Sequence, residues 1–252
     1  MCKIAPVSPT IEVGAPAEEL PLVESGLLPD RYARQMQDEF FARARPLLVP
    51  DVAILDVGAG RYPTIAPADR PPGCRYVGLD IEADEIEAAG ADAYDESIVG
   101  DVTIPLNRDD EFDLVLSWQV LEHVSPLARA LENLRLSLRP GGTLIAQLTG
   151  SNAAFAVFSR LIPQRARLWI ATRVLGHREE EKFPTRYDRS SHRALARLLE
   201  RWSRVEIVPF YRGAPYFKFS RPLMRAYLAY ESAVERRGAR NLATHYLVVA
   251  ER

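Results

Sequence analysis

Apolar and polar positions along the 252-residue chain change period several times, and each change marks an element. Short apolar runs end in an acid or a small polar residue at 53–57, 75–80, 98–101 and 112–117, and further runs lie at 143–148, 205–209 and 245–250. Runs of this length bounded by Gly, Pro or Asp predict strands, most of them buried on both faces. Between them the period lengthens. Tyr32, Met36, Phe40, Phe41 and Ala44 recur at helical spacing, with Asp30 placed as an N-cap and Pro46 near the end, so a helix is expected from Asp30. Leu127, Leu131, Leu134 and Leu138 stripe a second helix over 126–138, which Arg139-Pro140-Gly141-Gly142 stops, and a third helix is expected over 190–202. The proline-rich stretch 63–73 is too broken for a long helix and leaves room for a short one around 65–69.

Strand and helix in alternation imply an α/β fold with a parallel sheet and right-handed crossovers. Two stretches interrupt that rhythm, so the expected organisation is a loosely ordered arm over 1–29 and one domain over 30–252, with cap insertions at about 150–190 and 211–240. The first insertion carries Phe155, Phe158, Leu161, Ile162, Leu168, Trp169 and Ile170 among Arg160, Arg165, Arg167 and Arg173, and Pro163 splits it into two short helices. A lid over an apolar substrate or an ordinary cap core fits this short, interrupted stretch better than contact with a membrane.

Composition excludes some classes. Hydrophobic content of 47% and charged content of 26% are those of a globular chain, and no apolar stretch approaches the length that spans a bilayer. The N-terminal residues lack the continuous apolar core of a signal peptide, and Cys2 and Cys74 lie far apart outside any CxxC or Cys/His cluster, so a reducing cytoplasm is expected. A net charge of −2 conceals an asymmetry: residues 1–150 hold 12 Lys and Arg against 25 Asp and Glu, while residues 151–252 hold 20 against 9. The halves therefore carry −13 and +11, either attracting each other across the fold or making the second half a basic substrate cover.

The candidate chemistry centres on Asp56-Val57-Gly58-Ala59-Gly60, where an apolar run breaks into a glycine-spaced turn that lets a ligand approach the backbone. A dinucleotide fingerprint requires a third small residue where Pro63 stands, and a phosphate-cradling G-x-x-x-x-G-K-[ST] is absent at this turn.

The turn resembles instead that of class I S-adenosylmethionine-dependent methyltransferases, and the resemblance extends to Gly78-Leu79-Asp80, Gly100-Asp101-Val102, Phe112-Asp113-Leu114-Val115 with Leu121-Glu122-His123-Val124, and Leu138-Arg139-Pro140-Gly141-Gly142. It implies a Rossmann-like, mostly parallel seven-stranded sheet of order 3-2-1-4-5-7-6 with helices on both faces; the long insertion between the last two strands departs from the family. It also implies a pocket for S-adenosylmethionine as methyl donor. Asp56, Gly58, Ala59 and Gly60 would meet the methionyl part, Asp80 with Ile81 beside it would accept the ribose hydroxyls, Asp101 and the Val102 amide would hold the adenine edge, and Ser117 and Trp118 would line the methionine and ring.

Some O-methyltransferases of this superfamily hold a divalent metal with a Glu-x-x-Glu-His pattern, but here Gln119 stands where the first acid should be, so no metal is expected. His123 is the candidate general base, because its unperturbed pKa lies near neutrality, and Glu122 is expected to be structural. His177, Tyr187, His192, Tyr211 and Tyr216 are further titratable candidates for the acceptor side. The expected partner is a small-molecule acceptor bearing a hydroxyl or carboxylate. An RNA methyltransferase or an inactive methyltransferase-like binding protein are the alternatives; the absence of a recognisable RNA-binding module argues against nucleic acid, and the intact glycine turn and ribose acid argue for turnover.

Overall fold

The strand-forming runs assemble into one seven-stranded sheet of order β3-β2-β1-β4-β5-β7-β6. In this computed structural model the described residues are 26, 28–33, 35–154, 186, 188–217 and 219–252. The strands are β1 (Ala53–Val57), β2 (Arg75–Asp80), β3 (Glu96–Val99), β4 (Phe112–Trp118), β5 (Leu138–Thr149), β6 (Arg204–Phe210) and β7 (His245–Glu251). Strands β1 to β5 pair in parallel, and β7 runs antiparallel to both β5 and β6. The carboxyl ends of β1, β2, β4, β5 and β6 and the start of β7 consequently share one edge.

Alternation along each central strand sends side chains to both faces, and helices cover each face. Helix α1 (Met36–Ala44) lays Phe40, Phe41 and Ala44 against Ile54, Tyr76, Leu114, Leu116 and Ile145. Two further helices are α2 (Ala83–Glu87) and α3 (Leu127–Ser137). On the opposite face α3 lays Leu127, Leu131 and Leu134 against Leu55, Val77, Val115 and Leu144. That cluster continues through Leu195 and Leu199 at α4 (His192–Leu198) and Val234 of α5 (Arg221–Arg236).

Several expected boundaries move. Asp30 makes no side-chain cap; Asp30–Tyr32 is a separate 3-10 turn, and α1 begins only at Met36. The reason is tertiary: the Tyr32 carbonyl accepts from Arg212 and its hydroxyl bonds Glu231, which holds this turn to the far end of the chain. The short element around 65–69 is a 3-10 turn at Pro67–Asp69, and the helix expected over 190–202 is confined to His192–Leu198. Strand β3 lies two residues earlier than expected, its exposure alternating as suits an edge strand. Strand β5 pairs already from Leu138, with a register shift between Phe112↔Leu138 and Leu114↔Thr143 that accommodates the glycine pair.

Leu28, within the stretch expected to be a loose arm, is buried with Tyr32, Ala214, Met224 and Tyr227. The second insertion contains the turn Ala214–Phe217 and α5. The aromatic and arginine-rich stretch 155–170 of the first insertion lies outside the described residues, as do His177 and Tyr187.

Candidate cofactor and acceptor site

At the end of β1 the chain reverses at Gly58, whose amide donates to the Leu79 carbonyl at 2.7 Å and ties the turn to β2. Two constraints make this position glycine. Its φ is +71°, and a Cβ would lie 2.2 Å from Val120 Cγ2 in the segment after β4. Gly60, at φ +48°, faces the end of β2, where a Cβ would stand 3.4 Å from Asp80 Oδ2. The turn is braced by the Tyr94 hydroxyl, which donates to the Gly60 carbonyl at 2.7 Å, and by a two-pronged Arg61 to Glu85 ion pair at 2.7 and 2.9 Å.

Asp56 is fully enclosed, and its carboxylate serves the turn from within. It accepts from the Thr64 amide at 2.7 Å, the Thr64 hydroxyl at 2.6 Å and the Tyr76 hydroxyl at 2.6 Å. Burial pushes its pKa up and these bonds oppose the shift. With both oxygens engaged, its side chain shapes the loop rather than facing the cleft. Ala59 is buried beside it.

Asp80 is half-buried, with Oδ1 accepting from the Glu82 amide at 3.0 Å. Ile81 follows with 56% of its surface exposed, and Val99 and Ile104 are similarly bare, which leaves apolar surface along this edge. Asp101 is exposed and accepts the Thr103 amide at 2.8 Å, while Val102 is buried and its carbonyl accepts from Asn133 of α3 at 2.9 Å. Gly58, Gly60, Asp80, Ile81, Asp101 and Val102 thus gather at the ends of β1, β2 and β3.

Ser117 and Trp118 end β4 on opposite faces. The Ser117 hydroxyl is buried without a hydrogen-bond partner, whereas the Trp118 ring meets Phe40 of α1 edge-on at 5.2 Å, so much of that indole serves the α1 interface. Gln119 then takes φ +57°, its amide donating to the Gln147 carbonyl at 2.9 Å, and the chain enters a 3-10 turn at Leu121–His123. Glu122 is enclosed; its Oε1 accepts from the Thr149 amide at 3.2 Å and hydroxyl at 2.8 Å, while Oε2 has no partner. Burial drives its pKa up. The Glu122 carbonyl also accepts the Arg186 amide at 3.1 Å, and Asp188 accepts the first amide of α3, from Leu127, at 2.9 Å. Arg186, near the close of the first insertion, and Thr149, just before its start, therefore both meet Glu122. The adjacent His123 is half-buried, its Nδ1 enclosed and unpartnered. Among the described residues no three His, Cys, Asp or Glu side chains converge as metal ligands.

Beyond β5 the same edge carries a second polar cluster. His245 opens β7 in register with Thr149 and Phe210, and Arg212 follows β6 as a buried cation. Burial, reinforced by Arg212, pushes the His245 pKa down to about 4. The buried Glu231 of α5 accepts from the Tyr32 hydroxyl, from the Gly213 amide at 2.6 Å and from Arg31 at 3.2 Å. Of the other acceptor-side candidates, Tyr211 is buried, Tyr216 is exposed, and His192 meets the Tyr246 ring at 6.2 Å.

Sequence reasoning passed over Thr64, Tyr76, Tyr94, Val120 and Thr149, which build the site from behind. One signal was available: Gly78 sits inside a strand, and the Tyr94 ring fills the space its Cβ would take.

Comparison with known proteins agrees with this geometry. A family model described as a methyltransferase domain matches residues 55–146, the segment that builds the glycine turn, the Asp80 edge and the Leu121–His123 turn. By this match residues 55–146 form a methyltransferase domain, and the sheet has the order that the resemblance to class I S-adenosylmethionine-dependent methyltransferases implies. Methyltransferase relatives include a ubiquinone biosynthesis O-methyltransferase of Nitrobacter winogradskyi, 29% identical over 119 residues covering 45% of each chain. An uncharacterized 37.1 kDa transposon protein of Streptomyces fradiae is 36% identical over 104 residues, 38% of this chain and 30% of its own length. The chain thus spans less than half the length of these curated relatives. An S-adenosylmethionine-dependent methyltransferase from Archaeoglobus fulgidus shares the methyltransferase fold with a TM-score of 0.52 at 17% identity, over 92% of this chain and 99% of that one.

Proposed function

We propose that this chain transfers the methyl group of S-adenosylmethionine to an oxygen of a small, apolar or anionic acceptor. The observation that carries this reading is the meeting of Gly60 with Asp80 within the segment that matches a methyltransferase domain. That cradle suits the donor: a Cβ-free turn beside a carboxylate oxygen that a pair of vicinal hydroxyls can reach, next to exposed apolar surface at Ile81 for an aromatic base. Asp101 and the Val102 amide are assigned to the base edge, and Ser117 to the methionine end. Asp56 and Ala59 act through the shape of the turn, and Trp118 through its wall against α1.

S-adenosylmethionine supplies a methyl group already activated by its positive sulfur, so the protein's task is alignment, exclusion of water and, for a hydroxyl acceptor, removal of a proton. We assign that proton to His123. Glu122, bonded to Thr149, holds the Leu121–His123 turn against β5 and positions the imidazole. A carboxylate acceptor needs no base. Oxygen is favoured as the acceptor atom by the O-methyltransferase named among the relatives. The first insertion enters and leaves beside Glu122, which supports its role as a cap over the acceptor.

Titration calorimetry with S-adenosylhomocysteine and with NAD tests the pocket, and transfer of a labelled methyl group to extracted metabolites tests turnover. Binding of the former alone, with label entering an organic-extractable oxygen ester or ether, is the expected result. Binding of NAD in its place would overturn the reading.

A further inference from the structure

We propose that the outer face of α5, together with the turn that precedes it, docks on an anionic membrane surface. Four of the eleven large hydrophobic residues exposed among the described residues fall within fifteen positions here: Tyr216 at 46%, Phe219 at 48%, Leu223 at 43% and Tyr230 at 39%. Isolated exposed apolar residues need no explanation, but a cluster on one surface does.

Helical spacing arranges this surface. Met224, Tyr227, Glu231 and Val234 form the buried face of α5. Leu223, Ala226 and Tyr230, at i, i+3 and i+7, line one exposed flank, and Arg221, Arg225 and Arg236 line the other, all six exposed. The rings of Phe219, Phe217, Tyr227 and Tyr230 succeed one another at 6.4, 4.6 and 5.7 Å, carrying the buried apolar cluster out to the surface.

Charge identifies the occupant. Both acids of α5 are engaged: Glu231 is buried against Tyr32, Gly213 and Arg31, and Glu235, itself partly exposed, pairs with Arg31 at 3.1 Å. The exposed surface therefore offers apolar side chains and the arginines Arg221, Arg225 and Arg236, while both acids of α5 are paired with Arg31. An anionic bilayer interface meets both demands at once, taking the apolar row among its acyl chains and the arginines at its headgroups. No helix among the described residues is long and apolar enough to cross a membrane, so the contact would be peripheral. Because α5 packs through Tyr227 and Met224 on Tyr32 and Ala214 at the carboxyl edge of the sheet, docking would bring the acceptor side of the cleft near the bilayer.

The full chain is to be sedimented with vesicles of phosphatidylcholine and of an equal phosphatidylcholine–phosphatidylglycerol mixture. We expect binding to the mixed vesicles, at least about tenfold weaker binding to the neutral ones, and weakening as salt is raised. Arg221→Glu with Arg225→Glu should abolish binding, and Leu223→Ser with Tyr230→Ser should reduce it about fivefold, with melting temperature and S-adenosylhomocysteine affinity retained in both. Should a double variant unfold, Arg225→Gln and Leu223→Ala, each at an exposed position, carry the test with smaller losses. Equal binding to both vesicle types, no binding at all, or undiminished binding in folded variants overturns the proposal. So does a concentration-dependent dimer lost in Leu223→Ser with Tyr230→Ser while vesicle binding stays absent, which would make the face a protein contact. None of these readouts depends on methyl transfer.

Discussion

Gly60 and Asp80 meet across the ends of adjacent parallel strands, so closely that a Cβ on the glycine would stand 3.4 Å from the carboxylate Oδ2. The space beside that oxygen is kept by the absence of a side chain. Asp80→Ala should weaken S-adenosylhomocysteine binding by about 2 kcal/mol, the loss of charge-assisted hydrogen bonds to paired hydroxyls. Gly60→Ala should cost about 1 kcal/mol in stability, because its φ of +48° disfavours any side chain, and should weaken binding too. Calorimetry on both variants checks this; unchanged affinity in Asp80→Ala removes the ribose assignment.

Asp56 predicts a stability effect. Asp56→Ala strands the Thr64 amide, the Thr64 hydroxyl and the Tyr76 hydroxyl, and should destabilise the domain by about 3 kcal/mol, against about 1 to 2 kcal/mol for Tyr76→Phe. Since these groups share one network, the two losses should fall short of additive in a double-mutant cycle followed by urea unfolding. Full additivity would mean that Asp56 and Tyr76 act independently.

His245 predicts a pH dependence. Its pKa is about 4 in the fold and near 6.5 when unfolded, so the unfolded chain binds its proton first as pH falls. The stability contributed by the neutral imidazole is complete above that unfolded value and is lost as pH falls toward 4. The loss between pH 7 and pH 5 amounts to about 2 kcal/mol. Asp56, Glu122 and Glu231, whose pKa values burial raises, act in the opposite sense: their contribution is present at low pH and declines as pH rises. The difference between wild type and His245→Gln therefore isolates the histidine. A difference that does not change across this range would mean that His245 is protonated equally in both states.

Gln119 in place of an acid predicts methyl transfer without divalent metal. Dialysis against a chelator should leave the rate of labelled-methyl transfer unchanged, and recovery of a lost rate by magnesium would overturn the expectation.

The central strands and the glycine turn were legible in the chain because their signals are local. An apolar run ending in Asp56-Val57-Gly58, or in Gly78-Leu79-Asp80, states its period and its stop within a few residues. The positions of β1 and β2, and the resemblance that implied the sheet order, followed from these stretches.

What only the tertiary structure decided involves pairs far apart along the chain. Asp56 is matched to Tyr76, Glu122 to Thr149, and Tyr32 to Glu231 some two hundred residues away. The last pair draws 30–32 out of the helix that its spacing predicts. Hydrophobic period reports which face of an element is apolar, but not what covers that face; hence Trp118 could be placed at the end of a strand without revealing that Phe40 takes its ring. Sheet register and the packing of α1 and α5 fix those partners, and these are set by burial summed over the whole domain, which no local stretch of sequence contains.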